Sequence, residues 1–426
     1  MPSVKRNCRM KSDPQNTVQL GLNNNRAQFA LLMLINAFVG GMVGLERTVL
    51  PLIGRELFHL RSNLILASFV VSFGVVKAIL NLISGPLAHK YGRKRILVVG
   101  WLFGIPVPFI LMWASSWWWI IGANVLLGAN QALAWSMTVN MKIDLAGPRQ
   151  RGLAVGMNEF SGYFAVGLTA LATGYLASVY GLRPVPFTLG IAWSVLGLVL
   201  SWLFVRETKH HVEVESQQQS LAEPADAPKF WNVFQKTSWQ NRSLFAASQA
   251  GLVNNLNDGM AWVLFPLLFA AHGLRIEHIG VLKFLYPAVW GVSQILTGPL
   301  SDKIGRKRLI GPGMIVQALA LWLVAAGNSF TVWALASVLL GIGTGMVYPS
   351  LIAAVSDHAA PVWRVQALGV YRFWRDMGYA VGALIAGLLA DVLGFAPSIV
   401  AVGAITFVSG IIVMRNMTDG KLSPER

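Results

Sequence analysis

The strongest constraint in this sequence is a series of twelve apolar stretches, each long enough to cross a bilayer as a helix. A spanning helix needs about 20 mostly apolar residues. The stretches lie at residues 28–50, 64–86, 96–115, 118–141, 153–178, 185–205, 243–270, 279–299, 309–327, 331–355, 368–390 and 397–415. Only 12% of the residues are charged, about half the share in an average soluble domain. The sequence therefore predicts an all-α membrane protein with twelve transmembrane helices in a lipid bilayer.

The net charge of +16 is carried mostly by loops on one side of the predicted membrane. The basic residues in the loops of the other side are only Arg55, Arg61, Arg183 and Arg275. Cytoplasmic loops are enriched in Lys and Arg, and such residues also contact anionic lipids. We therefore expect a multi-pass protein of the plasma membrane (a bacterial inner membrane) with both termini in the cytoplasm. We expect no nucleic-acid partner and a monomeric state.

A polar linker divides the apolar stretches into two groups of six. The predicted parts are a cytoplasmic N-terminal tail (1–27), a six-helix bundle (28–205), a cytoplasmic linker (206–241), a second six-helix bundle (242–415) and a cytoplasmic C-terminal tail (416–426). The linker ends in the sequence FWNVF (230–234), which fits either a short interfacial amphipathic helix or a loop with aromatic residues. The single cysteine, Cys8, lies in the N-terminal tail, so neither a disulfide framework nor a thiolate metal site is expected. We expect no cofactor.

One motif occurs twice, at positions separated by half of the chain length. Residues 85–95 read GPLAHKYGRKR and residues 298–308 read GPLSDKIGRKR. At the same spacing Asp144 matches Asp357. The repeat predicts two six-helix halves related by duplication. Parallel repeats of this kind are typical of transporters that rock two bundles about a site at the membrane midplane.

These two loops resemble the signature loop of the major facilitator superfamily. The resemblance covers the whole chain and implies two pseudo-symmetric six-helix bundles that transport a small solute by alternating access. It also implies that helices 1, 4, 7 and 10 line a central cavity. Carriers of sugars, drugs, metabolites and ions share the motif, so the motif does not identify the substrate.

The two motif loops contain the candidate gating residues, which are Gly85, His89, Gly92, Arg93, Gly298, Asp302, Gly305 and Arg306. The first glycine of each loop is expected to allow close approach of two helices, and Gly92 and Gly305 to form tight turns with positive φ. By resemblance to the family, Asp302 caps the N-terminus of a helix in the other half. His89 stands where the family usually has an acid, so either the first-half cap is weaker or pH-sensitive, or the histidine is a tolerated polar replacement.

Acids that end predicted helices 4 and 10 are expected partners for the loop arginines. Asp144 and Asp357 would pair with these arginines and form bridges that latch the two halves in the outward-open state only, and Asp302 can pair with Arg306. The alternative is that the basic residues simply anchor the topology. The full set of expected gate partners is Asp144, Arg151, Glu159, Asp357, Arg364, Arg372, Arg375 and Asp376.

Ionisable side chains within spans are costly and usually face the bundle interior or a wet cavity. By their positions, Lys77 and Asp258 lie near the midplane, and Glu46 and Arg47 lie in the outer third. Glu159, Arg372, Arg375 and Asp376 are placed in the inner third. Adjacent side chains on a helix point about 100° apart, so Glu46 and Arg47 each need water or a partner on another helix. The expected proton-coupling and substrate cavity comprises Glu46, Arg47, Lys77, Asn124, Gln131, Asn254, Asn257, Asp258 and Tyr348.

Helix 7 is the most polar span. Asn254, Asn257 and Asp258 follow i, i+3, i+4 spacing, so they are expected to form one polar stripe. The stripe would bind substrate or, alternatively, form hydrogen bonds between helices. In helix 4, Asn124 and Gln131 are seven residues apart and therefore share one face.

A buried carboxylate that alternates between two aqueous phases is the simplest proton carrier. We expect Glu46 or Asp258 to exchange a proton for substrate, while Lys77 or Arg47 stabilises the deprotonated form. A purely structural salt bridge is the alternative.

The sequence thus predicts secondary active transport of a small solute, with proton-coupled efflux by antiport as the first interpretation. The drug/proton antiporter branch usually carries a Gly-Pro-rich motif in helix 5, and this helix has glycines without proline. Lys77, Arg372 and Arg375 suggest an alternative, a proton-coupled importer of an organic anion. The spans lack the group of catalytic residues that a membrane enzyme needs. A transporter-like sensor usually has a long folded soluble domain, and none is expected here.

Overall fold

The structure is a computed structural model that describes residues 20–147, 150–209, 211, 229–360 and 363–419. Most of the predicted N-terminal tail, including Cys8, lies outside the described residues. So do most of the predicted linker and the end of the predicted C-terminal tail. In the described ranges the regular structure is entirely helical.

In the described part of the chain, twelve long helices follow one another and coincide with the twelve apolar stretches. They are α1 (Arg26–Glu56), α2 (Asn63–Tyr91), α3 (Arg93–Trp113), α4 (117–146), α5 (Arg151–Tyr180), α6 (Val185–Leu203), α7 (Arg242–Ala271), α8 (Ile276–Ile304), α9 (Arg306–Ala326), α10 (Phe330–His358), α11 (Arg364–Leu393) and α12 (Phe395–Asn416). Ten of them are long and apolar enough to cross a membrane; the other two are α4 and α7. Several helices extend a few residues beyond the apolar stretch, because polar and basic residues at a helix end continue the backbone hydrogen bonding.

The helices α4 and α7 are the irregular and the polar members of the bundle. Residues Gln131–Trp135 of α4 form a π-helical turn, a feature that is frequent at functional sites. The buried face of α7 includes Asn254, Asn255 and Asp258. A short helix, Phe230–Gln235, lies in the chain before α7.

Glycine turns join α2 to α3 and α8 to α9. Gly92 has φ of 88° and Gly305 has φ of 101°, a region that L-residues with a Cβ rarely adopt. Each glycine ends one helix and precedes the next. The predicted positive-φ turns are therefore present in both halves.

The helices form two halves, α1–α6 and α7–α12, which meet where α5 packs on α8 and α2 packs on α11. We call the end that carries residues 92–95 and 305–308 the basic end, and the other the opposite end. Near the opposite end a Cβ on Gly174 would lie 2.9 Å from the Cα of Gly280, so the two halves are in backbone contact there.

At the basic end the halves diverge. Among the described residues, a Cβ added to Gly85 or Gly298 would meet nothing within 4 Å. The expectation that these glycines allow close helix approach is therefore wrong for this conformation, because the helices that could approach them have separated.

Candidate functional site

A buried ion pair between α1 and α7 joins the two halves. Arg47 of α1 donates two hydrogen bonds to the carboxylate of Asp258 of α7, at 2.6 and 2.9 Å. The guanidinium also lies 4.1 Å from the centroid of the Trp262 ring. Both charged residues are at most 4% exposed. Arg47 thus has the partner on another helix that its position requires, and that partner belongs to the other half.

Glu46, the neighbour of Arg47, has a different environment. Its Oε1 accepts a hydrogen bond from Asn124 at 3.2 Å, and its buried Oε2 has no partner among the described residues. Gln131 donates to the carbonyl of Val39 at 2.8 Å. Both amides of α4 therefore face α1, as expected for two residues that share one face.

A second set of buried polar residues also joins the halves, and we call it the Asp376 network: Lys77, Asn81, Tyr163, Arg375 and Asp376. Lys77 of α2 lies 3.6 Å from Asp376 of α11, which also accepts from Asn81 at 2.5 Å. Arg375 lies 3.3 Å from the same carboxylate and donates to the Tyr163 hydroxyl of α5 at 2.7 Å. One carboxylate thus serves two cations.

The estimated depths do not predict which charges pair. Lys77 pairs with Asp376 and Asp258 pairs with Arg47, although the sequence suggests a different depth for the two members of each pair. Position along a span does not fix which side of a tilted helix faces the other half, and pairing depends on that side.

Aromatic rings surround Arg375. Its guanidinium lies 4.0 Å from the centroid of the Tyr348 ring. The Tyr348 ring also lies edge-on to the Tyr163 ring of the other half, with centroids 6.3 Å apart, which places the predicted cavity aromatic at the contact between halves. The rings of Tyr163 and Trp290 stack with centroids 3.6 Å apart. Since α5 and α8 belong to different halves, this stack is also a contact between the halves.

Glu159 is buried close to the Asp376 network. Its Oε1 accepts from Trp135 at 3.0 Å and from Asn158 at 3.1 Å, and its Oε2 has no partner among the described residues. Lys142 donates to Asn158 at 2.5 Å.

The remaining expected gate partners lie apart from this cluster. No ion pair of the described residues joins Glu159 to the half-buried Arg372. Arg364 donates to the Ala359 carbonyl at 3.3 Å, and the side chain of Arg151 lies outside the described residues.

The expected polar stripe on α7 is divided between two surroundings. Asn254 and Asn257 both form hydrogen bonds with Gln317 of α9, at 3.0 and 2.9 Å, and Asn257 accepts from Thr406 of α12 at 2.7 Å. These amides lie inside one half, whereas Asp258 faces the other. Placing Asn254 and Asn257 in the central cavity is therefore wrong, because residues 257 and 258 project about 100° apart.

The arginines of the motif loops form the expected pairs. Arg93 lies 2.5 Å from Asp144, and Arg306 lies 3.1 Å from Asp357 and also pairs with Asp302. Each of these pairs lies within one half. They cannot by themselves latch the halves together, and they are present in a structure whose basic ends have separated.

Asp302 and His89 are both exposed. Among the described residues, no helix N-terminus of the other half donates a hydrogen bond to Asp302, contrary to the cap that the resemblance implies.

Acids that follow α6 and α12 cap the helices after the motif loops. Glu207 accepts hydrogen bonds from the backbone nitrogens of Arg93 and Lys94, at 3.1 and 3.0 Å. Asp419 accepts from the backbone nitrogen of Lys307 at 2.9 Å. These caps repeat in the two halves, and the sequence analysis missed them.

Other residues of the site were also missed. Asn81 is four residues after Lys77 and so shares its helix face, which was a usable signal. Asn255 lies 3.5 Å from Asp376 and was visible as part of the polar run in α7. Tyr163 and Trp290 gave no signal, because an aromatic residue in an apolar span is ordinary core material.

Two six-helix halves that meet through buried, paired charges define a membrane transport protein and not an enzyme. The chain belongs to the major facilitator superfamily, whose family model matches residues 29–256 and 247–425. It is 24% identical over 416 residues to Multidrug resistance protein MdtG of Dickeya zeae, covering 96% of this chain and 93% of that one. It is 25% identical to MdtG of Salmonella choleraesuis, over 80% of this chain and 81% of the relative.

Solved structures have the same fold. The human organic anion transporter MFSD10 (TETRAN) matches with a TM-score of 0.67 at 13% identity, covering 91% of this chain and 99% of that one. A POT family transporter in complex with 5-aminolevulinic acid matches with a TM-score of 0.72, also at 13% identity, covering 93% of this chain and 96% of that one.

Proposed function

We propose that this protein exports a small solute in exchange for protons. Relatives named as multidrug resistance proteins match nearly the full chain, and the fold belongs to a family of transporters. The observation that carries the proposal is the Arg47–Asp258 pair, a buried acid and base that join the two halves between α1 and α7.

The pair couples proton binding to rocking of the halves. Opening the opposite end separates α1 from α7 and removes the cation from Asp258. A buried carboxylate without its cation is costly, so Asp258 takes up a proton as that end opens. Release of this proton at the other side allows Arg47 and Asp258 to pair again, as they do in this structure.

Glu46 is the second acid in this scheme. It is fully buried, its single hydrogen-bond donor is an amide, and one carboxylate oxygen has no partner among the described residues. The carboxylate oxygen without a partner is available to bind a proton. We assign Glu46 as a proton reservoir beside Arg47.

We also propose that the basic end faces the cytoplasm of a bacterial cell. Lys and Arg are concentrated in the loops of that end, in agreement with the charge rule for membrane proteins. In this orientation the structure is closed to the outside and opens toward the cytoplasm.

Import of an organic anion with protons is the second candidate. The buried cations Lys77 and Arg375 favour it, since they provide positive charge at the contact between halves.

The experiment uses purified protein in vesicles that contain a trapped pH-sensitive dye, with an imposed pH gradient and either 2-naphthoate or ethidium as the transported probe. Antiport predicts that the probe moves against the proton flow, and Asp258→Asn abolishes probe-dependent proton movement. Glu46→Gln lowers it. The matched control is Glu56→Gln, which replaces an exposed acid on the same helix and is expected to keep wild-type coupling.

Unchanged coupling in both Asp258→Asn and Glu46→Gln contradicts the proposal. Movement of probe and protons in the same direction supports the import candidate instead.

A further inference from the structure

Basic side chains outnumber acidic side chains around the Asp376 network. Among the described residues there, Lys77, Lys142 and Arg375 are buried and Arg372 is half-buried. The carboxylates are Asp376 and Glu159. Asp376 already pairs with Lys77 and Arg375. Glu159 is connected to Lys142 only through the side chain of Asn158.

The sign of this excess matters because the side chains are buried. Electrostatic interactions strengthen as the local dielectric constant falls, and an uncompensated buried charge is costly. A ligand that brings one negative charge would relieve the excess, whereas a ligand that brings a positive charge would increase it.

Arg375 has the geometry to receive such a charge. Its Nε is buried and has no partner among the described residues, while its terminal nitrogens reach Asp376 and Tyr163. A guanidinium can bind a carboxylate through two parallel hydrogen bonds. An incoming carboxylate can therefore use the free Nε and compete with the Tyr163 hydroxyl for a second bond.

Aromatic rings lie beside Arg375, and an amide without partners in the described part of the chain follows one of them on the same helix. Tyr163, Trp290 and Tyr348 contact one another ring to ring, which gives a surface on which a ring can stack. Gln294 is one helical turn after Trp290 and is 1% exposed. Neither polar atom of its amide has a partner among the described residues, so it can bind a polar substituent of the ligand.

We expect the ligand to approach this site from the basic end. The two halves diverge there, since a Cβ added to Gly85 or Gly298 would have open space within 4 Å among the described residues. Toward the opposite end the Arg47–Asp258 pair and the backbone contact at Gly174 close the route.

We propose that the solute is an aromatic organic anion that binds between the halves, with its carboxylate on Arg375 and its ring on the Tyr163–Trp290–Tyr348 wall. This inference rests on the proposed transport function for the site and specifies the substrate class. The rival ligand is an organic cation that uses the free Oε2 of Glu159.

The test is equilibrium binding to the full-length purified protein of three probes that share one ring system: 2-naphthoate (anion), 2-naphthylmethylamine (cation) and 2-naphthylmethanol (neutral). Tryptophan fluorescence or calorimetry gives the dissociation constants. The anion is expected to bind at least about tenfold more tightly than the other two. Tighter binding of the cation, or equal binding of all three, overturns the proposal even if no variant is made.

Variants locate the site. Arg375→Gln is expected to weaken 2-naphthoate binding about tenfold or more, and Arg375→Lys to restore part of it, because charge is kept but the planar fork is lost. Lys283→Gln is the matched control, a buried cation of α8 whose Nζ donates to the Ala261 carbonyl instead of joining the network. Size-exclusion elution and melting temperature check that each variant is folded. Wild-type affinity for 2-naphthoate in a folded Arg375→Gln protein overturns the assignment.

This binding experiment is independent of the vesicle experiment. If the anion binds as expected but probe movement is indifferent to the pH gradient, the substrate class stands and proton antiport fails. If coupling is found only with ethidium and the cation binds best, antiport stands and the anion assignment fails.

Discussion

At the scale of single residues, the two polar contacts between the halves differ in geometry. Arg47 and Asp258 form a bidentate pair with short hydrogen bonds, whereas Lys77 lies 3.6 Å from Asp376, too far for a direct hydrogen bond. Removing one member of a buried ion pair typically costs about 3–5 kcal/mol, while replacing both members by apolar residues is often neutral. We therefore expect removal of one partner to destabilise the protein more in the Arg47–Asp258 pair than in the Lys77–Asp376 pair.

A double-mutant cycle on this pair tests that difference. We expect Arg47→Met and Asp258→Leu each to lower the melting temperature strongly, because each leaves an uncompensated buried charge. The combined variant is expected to recover most of the loss while remaining inactive in coupling. Thermal unfolding of the purified proteins is the measurement, and additive losses in the combined variant would show that the two charges do not depend on each other.

For the amide side chains of α7 we expect a smaller effect on stability than for the ion pair. Asn257 and Gln317 hydrogen-bond inside one half, where such contacts are worth on average about 0.6 kcal/mol. Asn257→Leu should therefore lower stability modestly and leave the anion affinity of the site unchanged. Loss of 2-naphthoate binding in a stable Asn257→Leu protein would return this residue to the cavity, as the sequence pattern had indicated.

The sequence predicted that Glu46 and Arg47 need partners on other helices, because helix geometry separates adjacent side chains. It could not predict that Asp258 is the partner of Arg47. That choice depends on the tilt and rotation of α1 against α7, which arise from packing across the whole contact between the halves.

At the scale of helices, caps from distant segments fix the ends of α3 and α9. Glu207 accepts hydrogen bonds from two backbone nitrogens at the start of α3. Asp419 accepts a hydrogen bond from one backbone nitrogen at the start of α9. A carboxylate at a helix N-terminus satisfies free N–H groups and interacts favourably with the helix dipole.

Replacing Glu207 by alanine is expected to lower the free energy of unfolding by about 1 kcal/mol. Asp419→Ala should give a smaller loss, because fewer hydrogen bonds disappear. Chemical denaturation of both variants checks the order, and a larger loss for Asp419→Ala would contradict it.

A third carboxylate caps a helix across the two halves at the opposite end. Asp391 of α11 accepts from the backbone nitrogens of Asn63 and Leu64, at 2.5 and 3.1 Å, and from the Ser62 hydroxyl at 2.6 Å. These bonds exist only while the opposite end is closed, so they favour that conformation.

We expect Asp391→Ala to open the opposite end more often. The measurement is the rate at which maleimide labels a cysteine at the buried position Ala67, in a Cys8→Ser background that has no other cysteine. Asp391→Ala should raise the rate, while Asp419→Ala, which removes a cap within one half, should not. Equal rates in wild type and Asp391→Ala would show that the cap does not hold the end closed.

The helices themselves were largely predictable, because a bilayer requires long apolar stretches and each one became a helix. The π-helical turn at Gln131–Trp135 and the cap by Glu207 were not. Both depend on residues that come together only after the helices pack, and neither changes the apolar pattern along the chain.

At the scale of the whole molecule, the two halves touch from the middle to the opposite end and separate at the basic end. The internal repeat predicted two halves. It carried no information about which end is closed, since both conformations of a rocking pair have the same sequence and similar packing within each half. The contacts at Gly174, Asp391 and Arg47 supply that information.

The central claim is that the Arg47–Asp258 pair holds this conformation and that a proton on Asp258 releases it. The most direct measurement is the distance between spin labels in reconstituted protein without Cys8, one pair at the opposite end (Ser178 and His278) and one at the basic end (Leu153 and Leu300). Asp258→Asn imitates the protonated acid. We predict that this substitution lengthens the opposite-end distance and shortens the basic-end distance. Unchanged distances, or a change of the same sign at both ends, would contradict the role of the Arg47–Asp258 pair.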